Sequence, residues 1–215
     1  MATKFSWELF EQLPVVGILR GFDAAAVTAL LDAATAGGLV NVEITMNTAG
    51  AAELIRQTVR QLGEHANIGA GTVCSLDDLD AALEAGATFI VTPVIVPEVI
   101  EECVGRQVPV FPGAMTPTEI HQASQLGAAM VKVFPADQLG PGYIKSVKAP
   151  LPHIRLLPTG GITVENLAEF KRAGADGFGV GSPLFDPQRV AQRDWNWVRQ
   201  QAERFVEAYR AATLP

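Results

Sequence analysis

Thr116-Pro117-Thr118-Glu119-Ile120-His121-Gln122-Ala123-Ser124-Gln125-Leu126-Gly127-Ala128-Ala129-Met130-Val131-Lys132-Val133-Phe134-Pro135 decides the fold. Threonine before proline reads as a helix cap and first turn. Leu126-Gly127 reads as the helix end, because glycine accepts the positive φ of the C′ position. Met130–Pro135 is then a short apolar run, of the kind that forms a strand buried on both faces of a parallel sheet. The same helix–glycine–strand unit recurs three times. Gly37-Gly38 precedes Val40–Thr45, Ala85-Gly86-Ala87 precedes Phe89–Pro93, and Ala173-Gly174-Ala175 precedes Gly177–Gly181.

Four more apolar runs, Val15–Arg20, Ile68–Val73, Val108–Pro112 and Ile154–Pro158, bring the candidate strands to eight. Helical stretches alternate with them: Ala24–Ala36, Ala51–Leu62, Leu76–Ala85, Pro117–Leu126, Val164–Ala173 and a last helix over Trp195–Ala211. Asp23, Ser75, Thr116 and Thr163 stand where N-caps belong. Set aside about 14 leading residues for an extra N-terminal helix, and each strand–helix unit averages about 25 residues. That pattern predicts a single (β/α)₈ TIM barrel over residues 1–215. An open doubly wound sheet is the alternative, although it usually has fewer strands.

Composition narrows the function. The 215 residues carry 23 acidic against 16 basic side chains, a net charge of −7, which disfavours a nucleic-acid partner. The most apolar stretch, Thr88–Ile100, holds Pro93, Pro97 and Glu98 and does not read as a membrane span. No secretory signal core follows Met1, and Cys74 and Cys103 make no disulfide framework, so a cytoplasmic setting is expected.

In such a barrel the chemistry lies at the C-terminal strand ends. Of five lysines, only Lys132 lies within an apolar strand. Burial lowers an ammonium's pKa and frees the amine, which attacks a ketone to give a Schiff base, an electron sink. A lysine snorkelling to the rim is the plainer alternative. Glu43, in Val42-Glu43-Ile44, is a carboxylate among apolar residues, suited to moving protons beside Lys132 or to a structural ion pair with Lys132 or Arg20. Thr159-Gly160-Gly161 follows the seventh strand and Gly179-Val180-Gly181-Ser182 the eighth. That is where backbone N–H groups of these barrels frequently hold phosphate. His65 and His153 fall before strands and His121 within a helix, so no metal site is expected.

Read in order, Val42–Thr45 (VEIT), Gly69–Thr72 (GAGT), Thr92-Pro93, Phe111–Gly113 (FPG), Lys132–Ala136 (KVFPA), Pro158–Ile162 (PTGGI) and Gly179–Ser182 (GVGS) resemble the 2-keto-3-deoxy-6-phosphogluconate (KDPG) aldolase family of class I aldolases. The resemblance spans about Val15 to Ser182. It implies a Schiff-base lysine at Lys132 and a proton-shuttling glutamate at Glu43. Thr72 would hold the pyruvate carboxylate, with Pro93 and Phe134 as walls. Gly160, Gly161, Gly181 and Ser182 would hold phosphate. It further implies a homotrimer and no metal or other cofactor. Asn47 stands where the gluconate branch has an arginine; Arg20, at the first strand's end, resembles the galactonate branch, and Thr159 resembles the gluconate branch. The implied reaction splits a phosphorylated keto-deoxy sugar acid of either type into pyruvate and D-glyceraldehyde 3-phosphate. A phosphosugar isomerase or epimerase, with Glu43 as base and Lys132 as an electrostatic clamp, and a non-catalytic metabolite-binding barrel are the competing functions.

Overall fold

A computed structural model describes residues 4–212. After helix α1 (Trp7–Gln12), strand and helix alternate: β1 (Val15–Leu19), α2 (Ala24–Ala36), β2 (Asn41–Thr45), α3 (Ala51–Leu62), β3 (Asn67–Gly71), α4 (Leu76–Glu84), β4 (Phe89–Thr92), α5 (Pro97–Gly105), β5 (Val110–Ala114), α6 (Pro117–Gln125), β6 (Val131–Val133), α7 (Gly140–Lys148), β7 (Leu156–Pro158), α8 (Leu167–Arg172) and β8 (Phe178–Val180). Short α9 (Pro187–Ala191) and long α10 (Trp195–Ala211) follow. All pairings are parallel, in the order β7-β6-β5-β4-β3-β2-β1-β8, and one bridge, Thr159 with Gly179, joins the two ends into a barrel. The fold is the expected (β/α)₈ barrel with its extra N-terminal helix.

The repeat unit behaves as its sequence dictates. Gly38, Gly86, Gly127 and Gly174 all take positive φ after their helices. Asp23, Ser75 and Thr116 cap α2, α4 and α6, and Glu119 completes a capping box with Thr116. Thr163 does not cap. Asn166 accepts from the Thr163 N–H and donates to the Gly161 carbonyl, which keeps 163–166 in a turn and delays α8 to Leu167. β5 runs through Pro112 to Ala114 rather than stopping at the proline. β3 ends at Gly71 rather than Val73, because Thr72 turns into left-handed backbone at φ 57°.

Two cores result. The larger lies between the helices and the outward strand residues, such as Val42, Ile44, Val131 and Val133. The smaller fills the barrel: Phe10, Val16, Phe89, Val91, Phe111, Met130 and Leu157, with Phe5 and Trp7 packed against it. Each buried aromatic ring there contributes about 1.5–3 kcal/mol by burial. Gly69 makes room for this layer, since a Cβ would strike the Phe89 ring. Beside the rings, Asn67 donates to the Ser6 and Asn41 oxygens, both at 2.8 Å, and accepts from the Ser6 N–H at 2.7 Å. Asn41 donates to the Leu13 carbonyl at 2.8 Å. The N-terminal segment is thereby fastened into the barrel's lower end. Outside, α10 lies on α2 so closely that a Cβ on Gly37 would come within 2.5 Å of the Arg199 carbonyl oxygen.

Candidate active site

Alternation along β2 turns Asn41, Glu43 and Thr45 inward, and along β6 it turns Lys132 inward. Lys132 is 4% exposed and Glu43 2%. Desolvation lowers the Lys132 pKa, against the pull of Glu43, with Arg20 lowering it further. Burial likewise raises the Glu43 pKa, against Lys132 and Arg20. Each group is held toward its neutral form.

Glu43 forms no ion pair within 4.0 Å among the described residues, so the structural pair with Lys132 or Arg20 is not what the strands build. Its Oε1 is the one buried side-chain polar atom of the described residues without a hydrogen bond. Gly71 cradles it: a Cβ on Gly71 would collide with that oxygen. Lys132 Nζ lies 5.2 Å from the Phe134 ring centre.

A cavity of about 410 Å³ opens above Lys132, lined by Arg20, Phe134, Thr159, Gly160, Gly161, Gly181 and Ser182 among others. Eight of the eleven expected site residues therefore meet in one place. Gly179 lets the Thr159 hydroxyl sit inside the barrel, where a Cβ would displace it, and Gly181 faces open space. Gly160 and Gly161 have φ of 94° and 70°, which bends the backbone after β7 around the cavity edge.

Three expected residues lie outside the lining. Glu43 is buried in the barrel beneath it. Thr72 touches the site through Arg20, whose Nη2 donates to Thr72 Oγ1 at 3.3 Å. A β-branched residue in left-handed backbone holds strain of about 1–3 kcal/mol, the kind kept at functional sites. Pro93 lines a separate cavity of about 520 Å³, with Phe134 as the wall the two share. Sequence reasoning missed Phe22, Phe185 and Pro187 in the first cavity. They are apolar loop residues, and no chemical pattern marks them. Gly71 was within reach: it pairs with Thr45, two residues along the strand from Glu43, and a glycine on the same face as a buried carboxylate is a spatial allowance.

Elsewhere, burial in α5 pushes the Cys103 thiol up to about 12, and burial with Asp78 nearby raises Cys74. Among the described residues no three His, Cys, Asp or Glu side chains gather around a point that could hold a metal ion. No helix among them is long and apolar enough to cross a membrane.

A buried amine and paired glycine loops at the barrel mouth, above an inward carboxylate, are groups suited to chemistry on a small anionic carbon compound. Comparison makes the class specific. The family model for KDPG and KHG aldolase matches residues 8–201, and the chain belongs to that family. It is 41% identical over 202 residues to the 2-dehydro-3-deoxy-6-phosphogalactonate aldolase of Escherichia coli, covering 94% of this chain and 97% of that one. It is 38% identical over 201 residues to the 2-dehydro-3-deoxy-phosphogluconate aldolase of Pseudomonas aeruginosa, covering 91% and 89%. The solved native KDPGal structure superimposes with a TM-score of 0.87 at 39% identity over 98% of both chains. The chain is accordingly an aldolase, a carbon–carbon lyase.

Proposed function

We propose that the chain is a class I aldolase that splits a 2-keto-3-deoxy-6-phospho sugar acid, of gluconate or galactonate type, into pyruvate and D-glyceraldehyde 3-phosphate. One observation carries this: a buried amine whose pKa is lowered by desolvation lies at the floor of a cavity walled by the two glycine loops.

The neutral Lys132 amine attacks the C2 carbonyl and gives a carbinolamine; loss of water gives the imine. A base takes the proton of the C4 hydroxyl, the C3–C4 bond breaks, and its electron pair moves into the N-protonated imine, which becomes the neutral enamine. The aldehyde leaves. Protonation at C3 and hydrolysis release pyruvate and restore the amine. Glu43 moves these protons: burial raises its pKa above the ordinary carboxylate range, which strengthens it as a base that takes a proton and later returns it.

Thr72 and Arg20 hold the keto-acid carboxylate, and Arg20's planar fork suits a two-point contact. Pro93 and Phe134 wall the pyruvyl group, Thr159 meets a sugar hydroxyl, and Gly160, Gly161, Gly181 and Ser182 hold the phosphate through backbone N–H groups. The reaction needs no metal. The whole chain acts as one aldolase domain, in the cytoplasm, as a homotrimer.

Pyruvate with borohydride is the decisive test. The expected product carries one reduced pyruvyl unit on Lys132. No labelling, or labelling at Lys145 or Lys148, removes the Schiff-base reading and leaves an isomerase or epimerase. Activity that survives thorough chelation supports the metal-free route; restoration by Mg²⁺ after EDTA overturns it.

A further inference from the structure

The barrel is least tightly stitched where the proposed phosphate loops begin. Three to five paired residues register several neighbouring strand pairs, for example β1 with β2 and β2 with β3. β7 and β8 have the single bridge Thr159–Gly179. Below that bridge a side chain does the work of a ladder. Asp176 Oδ2 accepts the Leu156 N–H at 2.8 Å, while the Asp176 N–H donates to the Leu156 carbonyl at 2.9 Å. The same Oδ2 meets Lys148 Nζ at 2.7 Å, and Lys148 also donates to the Ile154 carbonyl at 2.8 Å. With side-chain exposures of 17% and 31%, this is the most buried ion pair among the described residues. The Lys148 stem lies against Gly174, whose added Cβ would approach Lys148 Cγ to 3.1 Å.

We infer that Lys148 and Asp176 are positioning residues for phosphate binding: they set β7 against β8, so that Thr159-Gly160-Gly161 and Gly181-Ser182 converge on one anion. The inference rests on the aldolase reading for the identity of that anion. Its physical basis is lever length. β7 and β8 are three residues each; β6 and β1 hold their outer sides, but above Asp176 only the Thr159–Gly179 bridge joins them to each other, so a shift between Leu156 and Asp176 changes the spacing of the two loops. Backbone donors misplaced by even 1 Å lose much of their grip on a ligand.

The test compares Lys148→Met and Asp176→Asn with the unaltered protein in three assays: kinetics on the phosphorylated sugar acid, competition by inorganic phosphate, and borohydride trapping with pyruvate, which has no phosphate. The expected result is a rise of about tenfold in both KM and the phosphate inhibition constant, with kcat changed less than about twofold and pyruvate trapping at the unaltered level. Lys148→Arg, which keeps the charge, is expected to hold KM within about threefold of the unaltered protein. Variants with unaltered phosphate affinity overturn the inference. So does a fall in pyruvate trapping that parallels the rise in KM, because that is general loosening of the barrel. A Lys148→Arg protein as impaired as Lys148→Met also overturns it. If the unaltered protein traps no pyruvate, the aldolase reading fails instead, while phosphate competition still reports on the seam.

Discussion

Two residues apart on the same strand, Asn41 and Glu43 meet opposite treatment. Asn41 donates to the Leu13 carbonyl and accepts from Asn67, which in turn binds Ser6 by both its amide groups. Glu43 has a carboxylate oxygen with no partner at all among the described residues. Neighbouring β3 repeats the contrast: Asn67 is fully engaged, while Gly71 withholds a side chain so that Glu43 has room. At the lower end aromatic rings and satisfied amides close the barrel; at the upper end a strained Thr72, an unpaired carboxylate and a desolvated amine leave it energetically incomplete. An unpaired buried group costs stability and keeps its full capacity to bind something that arrives. The barrel separates along its axis the residues that hold it together from those that act.

That separation breaks most visibly, or survives, at Lys132. Lys132→Ala is expected to lower kcat by at least about 10⁴-fold and to abolish borohydride trapping, because the covalent nucleophile is gone. Circular dichroism should remain unchanged; a chain that unfolds would make Lys132 part of the holding set. Glu43→Gln is expected to lower kcat by on the order of 10²- to 10³-fold while preserving trapping with pyruvate. Arg20→Ala follows, with kcat/KM reduced about 10²-fold, about 2.7 kcal/mol of transition-state stabilisation. Inorganic phosphate should inhibit that variant as before, since its loops lie elsewhere. Full kcat/KM on both phosphorylated epimers would make Arg20 structural.

Stability measurements should reverse the ranking. Asn67→Ala leaves Asn41 and Ser6 groups unpaired, and a loss of about 2–4 kcal/mol in unfolding free energy is expected, with kcat/KM changed less than about twofold. Glu43→Gln should instead stabilise the chain, by an amount that depends on pH. The folded Glu43 pKa is raised above its ordinary 4.5, chiefly by burial. The folded state therefore binds this proton more tightly than the unfolded one, and the penalty grows as pH climbs from 4.5 to the raised value. Denaturant melts across that window should show the variant's advantage vanishing at the acid end. An advantage independent of pH would mean that the gain comes from packing.

Much of this was legible in the sequence because each signal is local. The glycines after α2, α4, α6 and α8, the apolar runs, and the caps at Asp23, Ser75 and Thr116 act within a few residues of themselves. Lys132 and Glu43 stood out because a charge within an apolar strand conflicts with its own surroundings. Signals settled by partners far along the chain were hidden. Thr163 looks like a cap until Asn166 claims the turn. Pro112 looks like a strand end, yet β5 continues to Ala114. Helix α7 opens with Gly140-Pro141-Gly142, and no side-chain cap marks its start. Pro93 stands at a strand end as expected, but which cavity it faces depends on where Phe134 points, and no spacing rule contains that.

The pairing of β1 with β8, and of α2 with α10, has a consequence in time. A ribosome makes Arg20 early and Gly181-Ser182 late, and the cavity exists only between them. While synthesis proceeds, Lys132 emerges into a chain that lacks the wall beside it. The packing of α10 against Gly37 comes last of all. Its arrival covers the first helix of the barrel, so a chain that stops before Gly181 lacks one wall of the pocket beside Lys132, and one that stops before α10 leaves the flank of α2 uncovered.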